Sequence, residues 1–471
     1  MKILLTGATG YIGKRLLPVL LEQGHQVICC VRDKNRFNPP PYKSANIDVI
    51  EVDLLDKESL KNIPAEIDAA YYLVHSMSSS VHYGKLEKKS AVNFREAINR
   101  TNAIHVVYLG GIINEHTLST HLASRKAVEE ELSKGPYHFT SLRAGIIIGS
   151  GSASFEIIRD LVEKLPLMIA PKWLQTRCQP IAVRDVITLL SRTPLNKAIY
   201  DKHFDIGGPD ILSYKQMLLG FAKVRGLKRR IFTVPVMTPR LSSYWLYFIT
   251  AISFKLASAL VDSMKVEVIC KDNSIFDILN IAATGYDEAL RRTFSAIGSE
   301  QIISSWKDSL VSGRFEQNLT SYKTVPSFGC FKDKRIRRVT DRKKTIGRIW
   351  RIGGETGWYF ANTLWQIRGL LDKLFGGVGL RRGRTNIHHI SAGDAIDFWR
   401  VLDANPDDGR LLLFAEMKLP GEAWLEFKFD NNMLYQTATF RPKGLWGRIY
   451  WYAVFPFHSL IFGGLIKRLA Q

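Results

Sequence analysis

The chain begins MKILLTGATGYIGKRLL, and this stretch limits the fold more than any other. A short apolar run, KILLT, leads directly into three glycines spaced three apart, Gly7, Gly10 and Gly13. Helical spacing follows from Tyr11 to Gln23, and Gly24 is a good helix stop. A strand, a tight turn and a helix start in this order make a cradle for an anion. Gly7 permits the sharp turn, Gly10 lets the backbone approach a pyrophosphate, and Gly13 lets the helix pack closely on the sheet. The backbone N–H groups from Gly7 through Ala8, Thr9, Gly10, Tyr11, Ile12 and Gly13, with the helix dipole, then hold the phosphates. A glycine pattern alone is weak. Here the strand before it, the helix after it and the βαβ unit around it favour a dinucleotide site over a turn that serves folding only.

The next hundred residues continue the alternation. HQVICCVR, IDVIEVDL, AAYYLVHS and IHVVYLGGI read as short, almost wholly apolar strands. Gly84 to Arg100 and Leu118 to Lys134 read as helices, and YHFTSLRAGIIIG follows. Such alternation specifies an α/β fold, a Rossmann-type doubly wound parallel sheet. From about Ser150 the pattern loosens into a small, mostly helical substrate lobe that includes Leu241 to Val261. We expect one domain over 1–310, a basic linker over 311–340, with the boundary just before or within the dense basic run FKDKRIRRVTDRKKTIGR (Phe331 to Arg348), and an α+β domain over 341–471. In the last of these, TIGRIWRIGG reads as a strand and Trp358 to Phe375 as a helix. Several antiparallel strands follow, with NPDDG as a hairpin turn, and a long helix runs from Leu445.

The end of the second strand separates the two nicotinamide cofactors. A carboxylate there binds a ribose 2′-hydroxyl and an arginine accommodates a 2′-phosphate. The strand ends CCVRDKNR, which puts Arg32 at that place with Lys34 and Arg36 nearby and Asp33 one position late. This favours NADP over NAD, although a solvated basic loop has the same composition.

TGATGYIG, VDLLD and the strand order together resemble the atypical short-chain dehydrogenase/reductases, the NmrA-like or extended-type group, over roughly residues 1–300. The resemblance implies that Asp53 and Leu54 lie near the adenine. It also implies that His75 and Ser76, in LVHSM, lie beside the adenine ribose and pyrophosphate. An active member carries a tyrosine with a lysine four residues later on one helix face, and a serine after the fifth strand. None of these is present. No Tyr-x-x-x-Lys occurs anywhere in the chain, and Gly110 and Gly111 stand where the serine belongs. In STHLASRKAVEEEL the matching spacing is His121 and Arg125. A histidine transfers protons near neutral pH, and an arginine holds a ribose or phosphate. The pair is therefore either a catalytic substitute or a cofactor-binding or helix-capping element. Asn114, Glu115 and His116 lie where substrate would approach. Arg143, Arg177 and Arg184 are further candidates to meet an anionic substrate.

The C-terminal part resembles the domain of unknown function found fused to such proteins in bacteria, above all in GDAIDFWRVLDANPDDGRLLLFAEMKLPGEAWLEF and FRPKGLWGRIYWYAVFPFHSLIFGG. Its element order is similar to a START-like helix-grip fold, which implies an apolar ligand cavity. Trp399, Trp424, Phe427, Tyr435, Trp446, Tyr450 and Trp451 supply either an ordinary aromatic core or such a pocket. Glu416, Glu426 and Arg441 are candidate polar contacts.

Composition narrows the partners. Sixty-five Lys and Arg against 44 Asp and Glu give a net charge of +21, a bias towards anions. The basic residues lack interleaved aromatics and no recognition motif accompanies them, so nucleic acid is not expected. Five scattered cysteines without a CxxC pair read as reduced thiols, with no metal site, in a cytoplasmic protein. The N-terminus has no signal-peptide pattern. Ile449 to Ile466 is the better of two apolar stretches for contact with an anionic membrane, because Lys467 and Arg468 flank it. No feature specifies an oligomeric state. Three readings remain: an NADP-dependent oxidoreductase with a non-standard site, a non-catalytic NADP(H)-binding redox sensor or regulator, and a peripheral membrane protein that binds a hydrophobic ligand.

Overall fold

A computed structural model describes residues 1–34, 37, 46–75, 83–113, 120–234, 261, 264, 266–298, 325, 326, 329–354, 356–375, 377–380, 390 and 392–471. The chain divides into two compact units, 1–250 with 254–311, and 251–253 with 312–471.

The first unit is built on seven parallel strands: β1 (Lys2–Thr6), β2 (Gln26–Val31), β3 (Ile47–Glu51), β4 (Ala69–Tyr72), β5 (His105–Gly111), β6 (His138–Ala144) and β7 (Lys202–Ile206). They lie in the order β7-β6-β5-β4-β1-β2-β3. The strands are apolar on both faces, and the packing explains why. Ile3, Leu5, Val27 and Cys29 point to one side. There they meet Leu16, Leu17 and Leu20 of α1 (Gly13–Glu22) and Val186, Leu189 and Leu190 of a helix over Val183–Arg192. Leu4, Ile28, Tyr72 and Tyr108 point to the other side. There they meet Ala91 and Phe94 of α2 (Tyr83–Ile98) and Val128 and Leu132 of α3 (Thr120–Leu132). A sheet covered on both faces has no room for alternating polar residues. The strand order reverses between β1 and β4, which opens a crevice at their C-terminal ends.

The small lobe expected after Ser150 is present in its described parts. Helices over Ala153–Lys164, Tyr214–Val224 and Tyr286–Gly298 meet through Phe155, Phe221 and Phe294, whose ring centroids lie 5.1 to 5.7 Å apart. The apolar stretch from Leu241 lies outside the described residues apart from Val261, which is fully buried.

The second unit carries six antiparallel strands: β8 (Phe331–Arg338), β9 (Ala395–Ile396), β10 (Trp399–Asn405), β11 (Arg410–Ala415), β12 (Gly421–Asp430) and β13 (Met433–Pro442). Their order is β8-β13-β12-β11-β10-β9. Helices α4 (Arg342–Ile349) and α5 (Asn362–Leu374) follow β8, and the 27-residue α6 (Gly444–Ala470) closes the chain. Trp451 of α6 stacks against Phe331 and Phe440, with centroids 5.4 and 5.7 Å away. Phe462, Leu465, Ile466 and Leu469 join Leu413, Leu425 and Phe427 in the core.

Two sequence expectations are corrected here. The basic run placed in a linker is the edge strand β8, paired with β13 over its full length from Phe331↔Phe440 to Arg338↔Met433. Its alternation brings Phe331 onto Trp451 and Arg335 onto Ser459 of α6, so half of this charged segment is held by packing. The stretch TIGRIWRIGG is not a strand, because helix α4 occupies its first half. The Asp341 carboxylate caps that helix by accepting from the Lys344 N–H at 2.9 Å.

Candidate functional site

Four strand ends meet at the C-terminal edge of the parallel sheet. The glycine loop leaves β1 and enters α1. Its carbonyl at Gly7 accepts from the Gly10 N–H at 2.8 Å, which closes the turn. Gly7 has φ +71°, a left-handed conformation, and a Cβ there would meet the Leu73 carbonyl oxygen at 2.6 Å. At Gly13 a Cβ would lie 2.2 Å from the Gly7 oxygen, so no side chain fits between the helix start and the turn. Ala8 is fully buried beneath the loop. Thr6 sews the loop to the neighbouring strand. Its hydroxyl donates to the Tyr71 carbonyl at 2.8 Å and accepts from the Leu73 N–H at 3.3 Å. The result is a cradle of backbone donors at a helix N-terminus. This arrangement fits a pyrophosphate and so fits a nicotinamide dinucleotide.

The loop has a second brace that the glycine pattern does not announce. The Arg15 guanidinium lies over the Tyr11 ring at 4.2 Å and donates to the Ser150 carbonyl at 2.8 Å. Burial pushes the Tyr11 hydroxyl up to about 12, against the pull of Arg15. The trace of this in the sequence is the four-residue spacing of Tyr11, in the glycine loop, and Arg15, in the first turn of α1.

The other expected residues fall around this edge. Arg32 directly follows β2, exposed, beside the end of β1. Asp53 follows β3. Its carboxylate accepts from the Leu55 N–H at 3.0 Å and its own N–H donates to the Ser59 hydroxyl at 2.9 Å, so part of its role is to hold the turn. Leu54 is buried, and its carbonyl accepts from Asn93 at 2.8 Å. His75 follows β4, and its Nε2 pairs with the Leu109 carbonyl at 3.0 Å, which ties the ends of β4 and β5 together. Ser76, Arg36, Asn114, Glu115, His116 and the side chain of His121 lie outside the described residues.

The position of the absent serine has a steric explanation. A Cβ on Gly110 would meet the Tyr108 ring at 2.8 Å, and one on Gly111 would meet Arg125 Cδ at 3.2 Å. Arg125 therefore lies across the end of β5, where a short-chain reductase would place its serine. Its Nε is buried without a hydrogen-bond partner among the described residues. A buried guanidinium nitrogen left unpaired at a strand edge is the kind of group that a ligand satisfies. His121 and Arg125 stand one turn apart near the start of α3.

The other arginines differ from Arg125. Arg143 is bound by Glu129, which also accepts from the Ser141 hydroxyl at 2.8 Å and pairs with His203 Nδ1 at 3.0 Å. Burial alone would raise the Glu129 carboxyl, but these partners outweigh it and hold the group at about 2. Arg177 pairs with Glu267 at 2.7 Å. The arginines read as anion contacts at 143 and 177 are thus already neutralised by carboxylates.

In the second unit the three expected polar contacts are also internally paired. Glu416 meets Arg400 at 2.9 Å, with both side chains fully buried, Glu426 meets Arg410 at 2.8 Å, and Arg441 meets Glu422. The aromatics divide. Trp399, Trp424, Phe427 and Trp451 are core, Tyr435 and Tyr450 are half-buried, and Trp446 is exposed.

Comparison with known proteins agrees with this division. Residues 7–159 match the NAD(P)H-binding family, and residues 330–465 match a protein of unknown function, DUF2867. A chloroplastic divinyl chlorophyllide a 8-vinyl-reductase of Arabidopsis thaliana is 23% identical over 227 residues, covering 44% of this chain and 54% of that one. The chain thus spans about half the length of the curated relatives of this kind. A nucleoside-diphosphate-sugar epimerase from Staphylococcus aureus shares the fold at a TM-score of 0.51 and 16% identity, over 62% of this chain and 100% of that one. The triphenylmethane reductase of a Citrobacter species does so at 0.50 and 17%, over 63% and 100%. Read with the glycine cradle and the strand order, these matches show an NAD(P)-binding domain in the first unit that is similar to the atypical short-chain dehydrogenase/reductases, followed in this chain by a DUF2867 domain.

Proposed function

We propose that the first unit is an NADP-dependent reductase in which His121 and Arg125 replace the tyrosine and lysine of its relatives. The observation that carries this reading is Arg125, laid across the end of β5 with a buried, unpaired Nε. A bound NADPH supplies a hydride. The glycine loop holds its pyrophosphate, and Arg32 neutralises the 2′-phosphate beyond β2. Arg125 binds the nicotinamide ribose or an anionic substrate oxygen, and His121 delivers the proton that balances the hydride. The reductase names among the curated relatives support the reaction class. In the second unit, a six-stranded antiparallel sheet with a long terminal helix supports a START-like reading in which a hydrophobic molecule is held. The protein acts in the cytoplasm on this reading.

Calorimetry with NADPH and NADH, on the wild type and on Arg32→Ala, tests the cofactor. We expect micromolar or tighter NADPH binding, lost selectively in the variant by at least about tenfold, the usual worth of a charge-assisted contact. Equal binding of both nucleotides to both proteins would remove the NADP assignment. A substrate screen with a His121→Ala control then tests the chemistry. If hydride transfer persists in His121→Ala, the proton comes from another group; if NADPH binds and no substrate is reduced, the second reading stands. In that reading the protein is a non-catalytic NADP(H) sensor, favoured by the glycines at 110 and 111.

A further inference from the structure

An apolar surface that the cofactor site does not explain lies on the second unit. Helix α6 is long and apolar enough to cross a bilayer, and only 22% of its most apolar window is buried. It is nonetheless held to the sheet near both ends. Gly447 and Trp451 near its start, and Phe462, Leu465, Ile466 and Leu469 near its end, are buried against the strands. A helix fixed in this way cannot span a membrane while its domain stays folded. Its outer face can lie in a membrane surface.

That face is apolar where a soluble helix would be charged. Leu445 is 70% exposed and Trp446 76%, with Ile449, Tyr452, Phe457 and Leu460 between 49% and 67%. Clusters of this kind on a soluble chain mark a contact surface. From Lys443 to Gln471 there is no Asp or Glu. Lys443, Arg448, Lys467 and Arg468 are all exposed and make no ion pair among the described residues. On the adjoining edge strand, Arg337 shares the side of Phe331 and Arg335 and adds one more exposed cation next to α6. Helix α5 meets α6 through Trp365 and Phe462, 6.1 Å apart, and exposes Leu370, Leu374 and Phe375.

Charge selects the occupant. A second copy of this chain, docked through the same face, would bring two sets of unpaired cations together with no carboxylate on α6 to offset them. An anionic bilayer offers both what the apolar residues need and what the cations need. Trp446 and Tyr452 are residue types that settle at the headgroup level. We propose that the outer face of α6 docks the protein in the plane of an anionic phospholipid surface, with its aromatic and aliphatic side chains inserted and the flanking lysines and arginines against the headgroups.

The experiment is co-sedimentation of the full chain with vesicles of phosphatidylcholine alone and of phosphatidylcholine with phosphatidylglycerol, at low and high salt. We expect binding to the anionic vesicles, weakened by salt, and reduced at least about tenfold in Trp446→Glu/Phe457→Glu. Both residues are exposed, so the fold should be kept, and an unchanged circular dichroism spectrum checks this. Phe232→Glu, a change of the same kind at an exposed site in the first unit, should bind as the wild type does. Equal binding by the double variant would overturn the proposal. So would a vesicle-free dimer that the same double variant converts to monomer, because the face would then be an interface between copies.

Discussion

In the first unit both faces of the sheet are covered by helices, and what stays open is its C-terminal edge, where β1, β2, β4 and β5 end beside the glycine loop. In the second unit the covering helix is itself left open, with one side buried on the strands and the other presenting Trp446, Tyr452 and Phe457. The difference concerns which part of the chain carries recognition. At the parallel edge the recognising groups are backbone N–H donors, and the sequence need only keep side chains out of the way. On α6 the recognising groups are side chains, and the backbone is fully occupied within the helix. The first kind of site tolerates no added atom at a few glycines. The second spreads its effect over many residues, each worth little alone.

The largest effect expected follows from the first half of that comparison. Gly13→Ala puts a Cβ about where the Gly7 carbonyl oxygen stands, 2.2 Å away, and the contact is with backbone that cannot rotate aside. The turn must open, which moves the donors of the cradle. We expect nicotinamide dinucleotide binding to fall by a factor on the order of a hundred or more, since several hydrogen bonds to the pyrophosphate go together. Vesicle binding through α6 should be unchanged. Calorimetry and co-sedimentation on the same preparation separate the two, and a variant that keeps its nucleotide affinity would show that the loop is a structural turn only.

A smaller effect comes from two histidines, one in each unit, that carry the same shift from burial but differ in their hydrogen bonding. His105 is held at about 4 chiefly by burial, with help from the charge of His138. Its Nδ1 accepts from the Leu195 N–H at 3.0 Å, so its proton sits on Nε2 towards the Thr140 hydroxyl at 2.8 Å, and both ring nitrogens are occupied. His458 is also held at about 4 by burial, against the pull of Asp333, but its Nδ1 has no hydrogen-bond partner among the described residues. Both folded values lie below the unfolded value near 6.5. The stability each neutral ring contributes is therefore complete above pH 6.5 and is lost as pH falls towards 4, to at most about 3 kcal/mol for each. His458→Phe should flatten that fall without destabilising the chain at pH 7. His105→Phe should destabilise at pH 7 by about 1–3 kcal/mol, because it leaves the Leu195 N–H without its acceptor, while the Thr140 hydroxyl keeps only its bond to the Ile199 carbonyl. Thermal denaturation across that pH range checks the pair, and identical behaviour of the two variants would erase the distinction.

The same contrast explains what could be read from the sequence. The glycine loop was legible because its requirements are local, in that each glycine answers to atoms within a few residues or on the next strand. The parallel sheet was legible because strands buried on both faces are apolar throughout. Strand β8 was not, because FKDKRIRR is charged on both sides of its alternation. It becomes a strand only through its pairing with β13, about a hundred residues later in the chain. Helix α4 carried two usable signals, Asp341 at its cap and Ile346, Ile349 and Trp350 at helical spacing, but the β-branched residues in TIGRIW suggested a strand. The occupation of Arg143 by Glu129 could not be read at all, since the two residues share a site through the packing of α3 on β6.

The smallest effect is the one that best sharpens the reading of the arginines. Arg177 and Glu267 form a two-point contact, Nε to Oε1 at 2.7 Å and Nη2 to Oε2 at 3.2 Å, but both side chains are about half exposed. Exposed pairs contribute little because water competes for each partner and ordering two long side chains costs entropy. Arg177→Ala should therefore leave the thermal stability of the chain nearly unchanged, and it should leave nucleotide binding and any hydride transfer untouched. Arg125→Ala changes a side chain of the same type, but one that lies across the end of β5 with its Nε unpaired, and it should weaken nucleotide or substrate binding while leaving thermal stability nearly unchanged. Measured side by side, the two substitutions ask whether function at this edge follows the unpaired guanidinium. A kinetic loss in Arg177→Ala equal to that in Arg125→Ala would mean that the small lobe, and not the end of β5, receives the anionic part of the substrate.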